Sequence, residues 1–182
     1  MLRAWQFVTL LSTALLTGMV FCHVLEMPAK MEYSGSLYLT LHRTLYVAFG
    51  PPNIGVFVEM LAILSSLVLA FLMRKRPGFW AAVVGASCLV AGLVVYFMVV
   101  EPANVEMKAM STEAPPAAWA HWRDQWETGH ATHFGFALLG LSALIHSALA
   151  GRRVVPGAWP AEPGGRDRVG DELERIHEAR SP

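Results

Sequence analysis

The chain has 182 residues, of which 54% are hydrophobic and 15% are charged, and its formal net charge at pH 7 is zero. Soluble domains carry about 25% charged residues and fewer long apolar runs, so this composition excludes an ordinary soluble protein. The sequence also contains no phosphate-binding glycine loop and no nucleic-acid-binding motif, so we expect no nucleic-acid partner.

Long apolar runs follow one another along the chain. A helix needs about 20 such residues to cross a hydrocarbon core of about 30 Å. The spans are predicted at residues 4–27, 54–73, 79–100 and 116–150. We therefore predict an all-α protein, an integral membrane four-helix bundle formed by residues 1–153 in contact with the lipid bilayer. The segment 154–182 is rich in proline, glycine and charge, and is predicted to be a disordered cytoplasmic tail.

The segments between the spans predict two further features. Residues 37–49 are mostly apolar but too short to span, and Gly50 with two prolines ends them, which predicts a short extracytoplasmic loop helix. Residues 101–114 are predicted to form a polar loop. A fourth helix from Pro116 to Ala150 would be about 52 Å long at 1.5 Å per residue, so its first turns should protrude from the membrane core.

The placement of basic residues predicts the orientation. Arg74, Lys75 and Arg76 form the short loop between the second and third spans, and Arg152 with Arg153 follows the fourth. Because short cytoplasmic loops carry an excess of lysine and arginine, we predict a multi-pass protein of the cell membrane with both termini in the cytoplasm. The loop helix and residues 101–114 then lie outside.

Acidic and histidine side chains converge on one layer near the outer ends of the predicted helices. Helix-bundle di-metal proteins use one Glu from each of two helices and a Glu-x-x-His pair from each of the other two. The candidate metal ligands here are His23, Glu26, Glu59, Glu101, Glu127, His130 and His133. The alternative is that charged groups gather where helices meet headgroups, with Arg123 and Glu127 paired as i, i+4 neighbours.

Glu59 and His133 differ from the rest of this layer. Glu59 stands among apolar residues of the second span, where an unpaired carboxylate costs a few kcal/mol and such residues are functional by default. A proton or a basic partner is the alternative to a role in a site. His133 faces about 60° away from His130, and could be a ligand or a second proton carrier.

Four stretches of sequence resemble one family of membrane proteins. They are "FCHVLEMPAK", "LYVAFGPPN", "EPANVEM" and "HWRDQWETGH", and they resemble the anthrone oxygenase-like proteins. The likeness covers about residues 5–150. Its most specific part comprises Pro102, Asn104, Trp122, Arg123, Trp126, Glu127 and His130. The resemblance implies an oxidoreductase, a monooxygenase, acting on a small lipophilic phenolic or anthrone-like substrate that enters from the bilayer.

This chemistry assigns roles to the outer layer. Glu127 or His130 could remove a proton from an activated methylene, and Arg123 could stabilise the developing enolate. The predicted substrate-binding residues are Asn104 and Trp126, in the resembling motifs, and His42 and Arg43 on the loop helix. The carbanion can react with dioxygen without a metal, or a transition metal such as iron or copper could activate dioxygen directly.

Other classes of function remain open on the sequence alone. The chain could be a non-catalytic membrane protein that binds a metal or a small molecule. It could also be a b-type haem electron carrier in which His23 and His130 are the axial ligands. Metal analysis and an absorption spectrum of the purified protein separate these alternatives.

The predicted orientation can be tested by labelling single cysteines in intact cells, in a chain with Cys22 and Cys88 replaced by alanine. We expect a membrane-impermeant maleimide to label Lys108→Cys and to leave Lys75→Cys unlabelled until the cells are opened, because the two positions lie on opposite sides of the membrane. The reverse pattern would invert the orientation.

Overall fold

The structure is a computed structural model that describes residues 1–50 and 53–150. In these ranges the chain is helical and forms no strand, which confirms the predicted all-α class. The elements are α1 (Leu2–Met31), α2 (Gly35–Thr44), a 3₁₀ turn (Tyr46–Ala48), α3 (Ile54–Met73), α4 (Phe79–Val95), a π-helical turn (Tyr96–Val100), α5 (Glu101–Ala109) and α6 (Trp119–Ala150). The predicted tail, 154–182, lies outside the described residues.

Helices long and apolar enough to cross a membrane make up most of the described chain. They are α1, α3, the continuous rod of α4 to α5, and α6, so the predicted multi-pass membrane bundle is confirmed in this general form. Helix α6 packs against α1 and α4, and α3 packs against the same two helices, so the four form a closed ring. Leu16, Ala62, Leu89 and Leu144 are buried inside it, while many leucine, valine and phenylalanine side chains face outwards, as contact with lipid tails requires.

Small and hydroxyl-bearing residues allow close contact between these helices. Gly85 of α4 faces Gly140 and Leu144 of α6 so closely that an added Cβ would lie 2.6 Å from the Leu144 side chain. On the opposite side of the ring, Thr9 of α1 donates a hydrogen bond to the Ser65 carbonyl of α3 at 3.1 Å. Both features are typical of helix packing in lipid, where the hydrophobic effect does not drive helices together.

The third span continues further than predicted, and residues 101–109 are not a loop. Pro102 has no N–H to donate to the carbonyl four residues earlier. The helix widens into the π-helical turn Tyr96–Val100 just before it and then resumes as α5. This extension carries Glu101 and Asn104 over the end of the bundle.

Two other boundaries differ from the predicted ones. Helix α1 runs through Pro28 to Met31 instead of ending near residue 27, so Lys30 belongs to the helix. Helix α6 begins at Trp119 rather than at Pro116, because Pro116 and the two residues after it form a turn closed by the Trp119 amide. The loop helix is present as α2, and the Ser34 hydroxyl accepts a hydrogen bond from the Leu37 amide at its start. We call this end of the molecule, where α2 and α5 lie, the α2 end.

The glycine contact between α4 and α6 can be tested by adding one methyl group. We expect Gly85→Ala to destabilise the bundle by about 1–3 kcal/mol, because the new methyl group would lie 2.6 Å from the fully buried Leu144 side chain and 3.1 Å from the Gly140 carbonyl oxygen. Gly18→Ala is the matched control, since an added Cβ there meets nothing within 4 Å. Equal unfolding free energies for both variants, measured by titration with SDS in mixed micelles, would contradict the packing described.

Candidate functional site

A cavity of about 300 Å³ lies at the α2 end, where α1, α2, α5 and α6 meet the π-helical turn. Its walls combine aromatic rings with nitrogen-rich side chains. The lining residues are His23, His42, Arg43, Tyr46, Val47, Phe49, Gly50, Tyr96, Glu101, Asn104, Lys108, Trp126 and His130. The structure therefore brings together seven of the sequence-predicted site residues in this cavity: His23, His42, Arg43, Glu101, Asn104, Trp126 and His130.

Two imidazole rings form the inner wall of this cavity. His23 of α1 and His130 of α6 are buried and face each other, with ring centroids 4.1 Å apart and an interplanar angle of 32°. Trp126, one turn before His130, presents its edge to both rings at 4.9 Å and 4.2 Å. Among the described residues, neither His23 Nδ1 nor His130 Nδ1 has a hydrogen-bond partner. The pair therefore has capacity to bind or to exchange a proton with a ligand.

Asn104 organises the neighbouring wall. Its Nδ2 donates to Glu101 Oε2 at 2.9 Å, so its Oδ1 is an acceptor, and this oxygen receives the Trp126 Nε1–H at 2.8 Å. His42 Nε2 lies 3.0 Å from the same oxygen and must carry a proton to bond to it. Burial lowers the pKa of His42, and this effect outweighs the hydrogen bond that His42 donates to Asn104, so His42 is neutral at pH 7.

A buried ammonium group lies behind the Trp126 wall. Lys30 Nζ is 2.9 Å from Glu127 Oε1 and 3.8 Å from Glu26 Oε2, and the Lys30 and Glu127 side chains are only 2% and 1% exposed. The same ammonium group lies 4.8 Å from the centre of the Trp126 ring. In the low dielectric of the bundle such a charge is tolerated only when it is paired.

Two tyrosines tie this ion cluster to the α2 region. The Tyr38 hydroxyl donates to Glu127 Oε1 at 2.9 Å, and the Tyr46 hydroxyl donates to Glu26 Oε2 at 2.6 Å. Burial, followed by the neighbouring carboxylate, raises the pKa of each phenol, so both stay protonated and act as donors. We call Glu26, Lys30, Glu127 and these two tyrosines the ion cluster.

Sequence reasoning missed Lys30 as a residue of this region. A signal was present, because Lys30 follows His23 and Glu26 at spacings of seven and four residues and therefore shares their face if the helix continues. The proline at position 28 suggested that the helix ended before it. Tyr38 and Tyr46 were also missed, since a phenol in a loop segment carries no distinctive spacing.

The predicted alternative that Arg123 pairs with Glu127 is wrong. Arg123 Nη2 pairs with Asp124 at 2.8 Å, and its Nη1 donates to the Met31 carbonyl at 3.0 Å, where it caps the end of α1. Glu127 is occupied by the ion cluster instead, because partners from α1 and α2 reach it inside the bundle. Neither Arg123 nor Glu127 lines the cavity, so Arg123 is not placed to stabilise an enolate there.

Glu59 and His133 form a separate pair inside the bundle. Glu59 Oε1 lies 3.2 Å from His133 Nε2, and both side chains are buried between α3 and α6. Gly92 of α4 leaves room for this ring, since a Cβ at that position would lie 2.7 Å from His133 Cδ2. Glu59 thus has the basic partner that the sequence left as an alternative to a role in a site.

The candidate metal ligands are not assembled into one centre. Within residues 1–50 and 53–150, no group of three or more His, Cys, Asp or Glu side chains is placed to hold a metal ion. The Lys30 ammonium group takes the position between Glu26 and Glu127 that a cation would occupy in the di-metal template. The adjacent rings of His23 and His130 also do not fit an axial haem pair, because axial ligands stand on opposite faces of a porphyrin and ring centroids 4.1 Å apart leave no gap for one.

The chain was compared with protein-family models, with curated proteins and with solved structures, and none of the three comparisons gave a match. The resemblance to the anthrone oxygenase-like proteins therefore stays a prediction from the sequence.

The ion cluster can be tested by a double-mutant cycle on Lys30 and Glu127. We expect Lys30→Gln to cost about 3–5 kcal/mol of unfolding free energy, because it leaves the buried Glu127 carboxylate without its cation. The double variant Lys30→Gln/Glu127→Gln should recover much of that loss. Lys75→Gln is the control and should cost under about 1 kcal/mol, because Lys75 is exposed and forms no ion pair among the described residues. Additive losses in the cycle would contradict the pairing described.

Proposed function

We propose that the protein is a membrane oxygenase, which binds a small lipophilic phenolic or anthrone-like substrate in the cavity, removes a proton from it and lets the carbanion react with dioxygen. One observation carries the proposal. The imidazoles of His23 and His130 lie against each other in the wall of an aromatic cavity, and each has a nitrogen without a hydrogen-bond partner among the described residues. A positioned base in a site of low polarity is what proton removal from carbon requires.

The walls of the cavity suit a flat, apolar substrate. Tyr46, Phe49 and Trp126 surround the histidine pair, with ring centroids 4.9–5.4 Å from that of His23. Aromatic side chains favour offset or edge-on contact with another ring, so a polycyclic substrate gains contacts on several sides. The cavity lies at the α2 end of the bundle. These features support the substrate class that the resemblance implies.

His130 is the proposed general base, and His23 is its partner in proton transfer. His130 accepts a proton from an activated methylene group, and the electron pair stays on the substrate as a conjugated carbanion. The carbanion gives one electron to dioxygen, and the two radicals combine to form a peroxide anion. Return of the proton gives a hydroperoxide, which loses water to leave a ketone. The balance is R₂CH₂ + O₂ → R₂C=O + H₂O, and no external reductant is needed.

Two other predicted residues contribute by holding neighbouring side chains in place. Asn104 holds the Trp126 ring against the histidines, because its Oδ1 accepts the indole N–H. Glu127 lies behind that wall and holds Lys30, so we assign it a structural role in the ion cluster rather than the role of base. Arg123 has no assigned role in the reaction.

The proposal is tested by dioxygen uptake with anthrone as the substrate, in nanodiscs, with protein-free nanodiscs to subtract spontaneous oxidation. We expect His130→Gln to lower the rate about 100-fold or more, because a positioned general base contributes about that much. His121→Gln is the matched control on the same helix, since His121 is exposed and lies outside the cavity. With ¹⁸O₂, one labelled atom should enter the ketone and the other should enter water.

Uptake by the His130→Gln variant at the rate of the wild type would remove His130 as the base. Anthrone that binds to the wild type without any dioxygen uptake above that of empty nanodiscs would instead favour the non-catalytic alternative, a membrane protein that binds a small molecule.

A further inference from the structure

The cavity has two chemically different sides. The inner side, formed by α1 and α6, carries the buried His23 and His130 rings. The outer side, formed by α2 and α5, carries Arg43, which is partly buried, and Lys108, which is exposed at the rim. A substrate in this cavity therefore meets an apolar, imidazole-bearing side at one end and cationic groups at the other.

The two cations are not neutralised by acidic neighbours. Within the described part of the chain, neither Arg43 nor Lys108 has a carboxylate within 4 Å, whereas the other ion pairs of the molecule involve Lys30, Arg123 and His133. The acidic group of the cavity is Glu101, and its carboxylate accepts hydrogen bonds from Asn104 Nδ2 and from the Tyr96 hydroxyl at 2.9 Å and 3.1 Å. Both hydrogen bonds are to Oε2, and they hold the Glu101 carboxylate beside Asn104 and Tyr96 rather than in an ion pair with either cation.

Arg43 is held in place and retains unused donor capacity. Its Nη2 donates to the Met107 and Met110 carbonyls at the end of α5, which fixes the guanidinium group against that helix. Its Nε is buried and lacks a hydrogen-bond partner among the described residues. A guanidinium group with free N–H donors in a partly buried position is well suited to an oxyanion, because charge-assisted hydrogen bonds are the strong ones.

We propose that the substrate of this site carries an ionised carboxylate on its aromatic ring system, and that Arg43 and Lys108 bind this group. The inference rests on the proposed function for the identity of the reacting end, since binding the carboxylate at α2 and α5 directs the ring towards His23 and His130. Such a substrate is an aromatic acid, lipophilic at one end and anionic at the other, and it lies at the membrane boundary with its charge outwards.

The test compares two probes of the same shape, naphthalene-2-carboxylate and naphthalene-2-carboxamide, at pH 7.5. Binding to the full chain in phosphatidylcholine nanodiscs is measured by equilibrium dialysis, with empty nanodiscs to subtract partition into lipid. We expect the wild type to bind the carboxylate about tenfold more tightly than the carboxamide, because only the carboxylate makes charge-assisted hydrogen bonds.

Two variants test where the carboxylate group of the probe binds. Lys108→Gln and Arg43→Gln should each weaken carboxylate binding several-fold and leave carboxamide binding within about twofold. The Lys108 change affects an exposed side chain, so it tests the proposal even if Arg43→Gln loosens α5. Lys75→Gln, at the opposite end of the bundle, is the control and should change neither affinity.

Equal affinity for the two probes, or failure to bind either, would overturn this inference. So would a carboxylate preference that both variants retain, since the anion would then be held elsewhere. Because the readout is binding, it is separate from dioxygen uptake. Dioxygen uptake with anthrone together with equal affinities for the two probes would support the oxygenase proposal alone. Tighter binding of the carboxylate without dioxygen uptake would support the anion site alone.

Discussion

The site depends on the burial of one charge. The Lys30 ammonium group is almost fully enclosed at the α2 end, and a lone cation in that position would cost several kcal/mol. It is tolerated because Glu127 and Glu26 approach it from α6 and from its own helix. Those carboxylates in turn need donors, and Tyr38 and Tyr46 supply them. The continuation of α1 past Pro28 and the position of α2 over the bundle are therefore parts of one arrangement.

The fold could be predicted from the sequence because the length of an apolar run can be counted directly along the chain. A run of about 20 apolar residues predicts a crossing helix regardless of what it packs against, and all four spans are present in the structure. The ends of the helices were harder to predict, because α1 continues through Pro28 and a helix also contains Pro102. The helix retains Pro28 and widens before Pro102, since neighbouring helices at this end hold the chain in helical form.

The structure differs from the predicted site in which side chains are partners. Counting 1.5 Å per residue places Glu59, Glu127 and His130 near one layer, yet it does not say which side chains meet across helices. The i, i+4 rule suggested Arg123 as the partner of Glu127, although contacts from other elements displaced it. A layer of acids and histidines therefore resembles a metal site in sequence, whereas in space it divides into the His23–His130 pair, an ion cluster and a separate Glu59–His133 pair.

A buried ion cluster is weak evidence for stability, because well-packed apolar residues often do as well or better. The position of the ion cluster beside Trp126 indicates its role. Trp126 is the wall shared by the cluster and the cavity, with Lys30 near its ring, Asn104 on its N–H, and the histidine rings against its edge. A change in the cluster therefore reaches the cavity through the orientation of this indole and through Tyr46, which belongs to the cluster and also lines the cavity. The cost of burying Lys30 is consistent with a requirement to fix that wall, which an apolar core without directional contacts would leave free to turn.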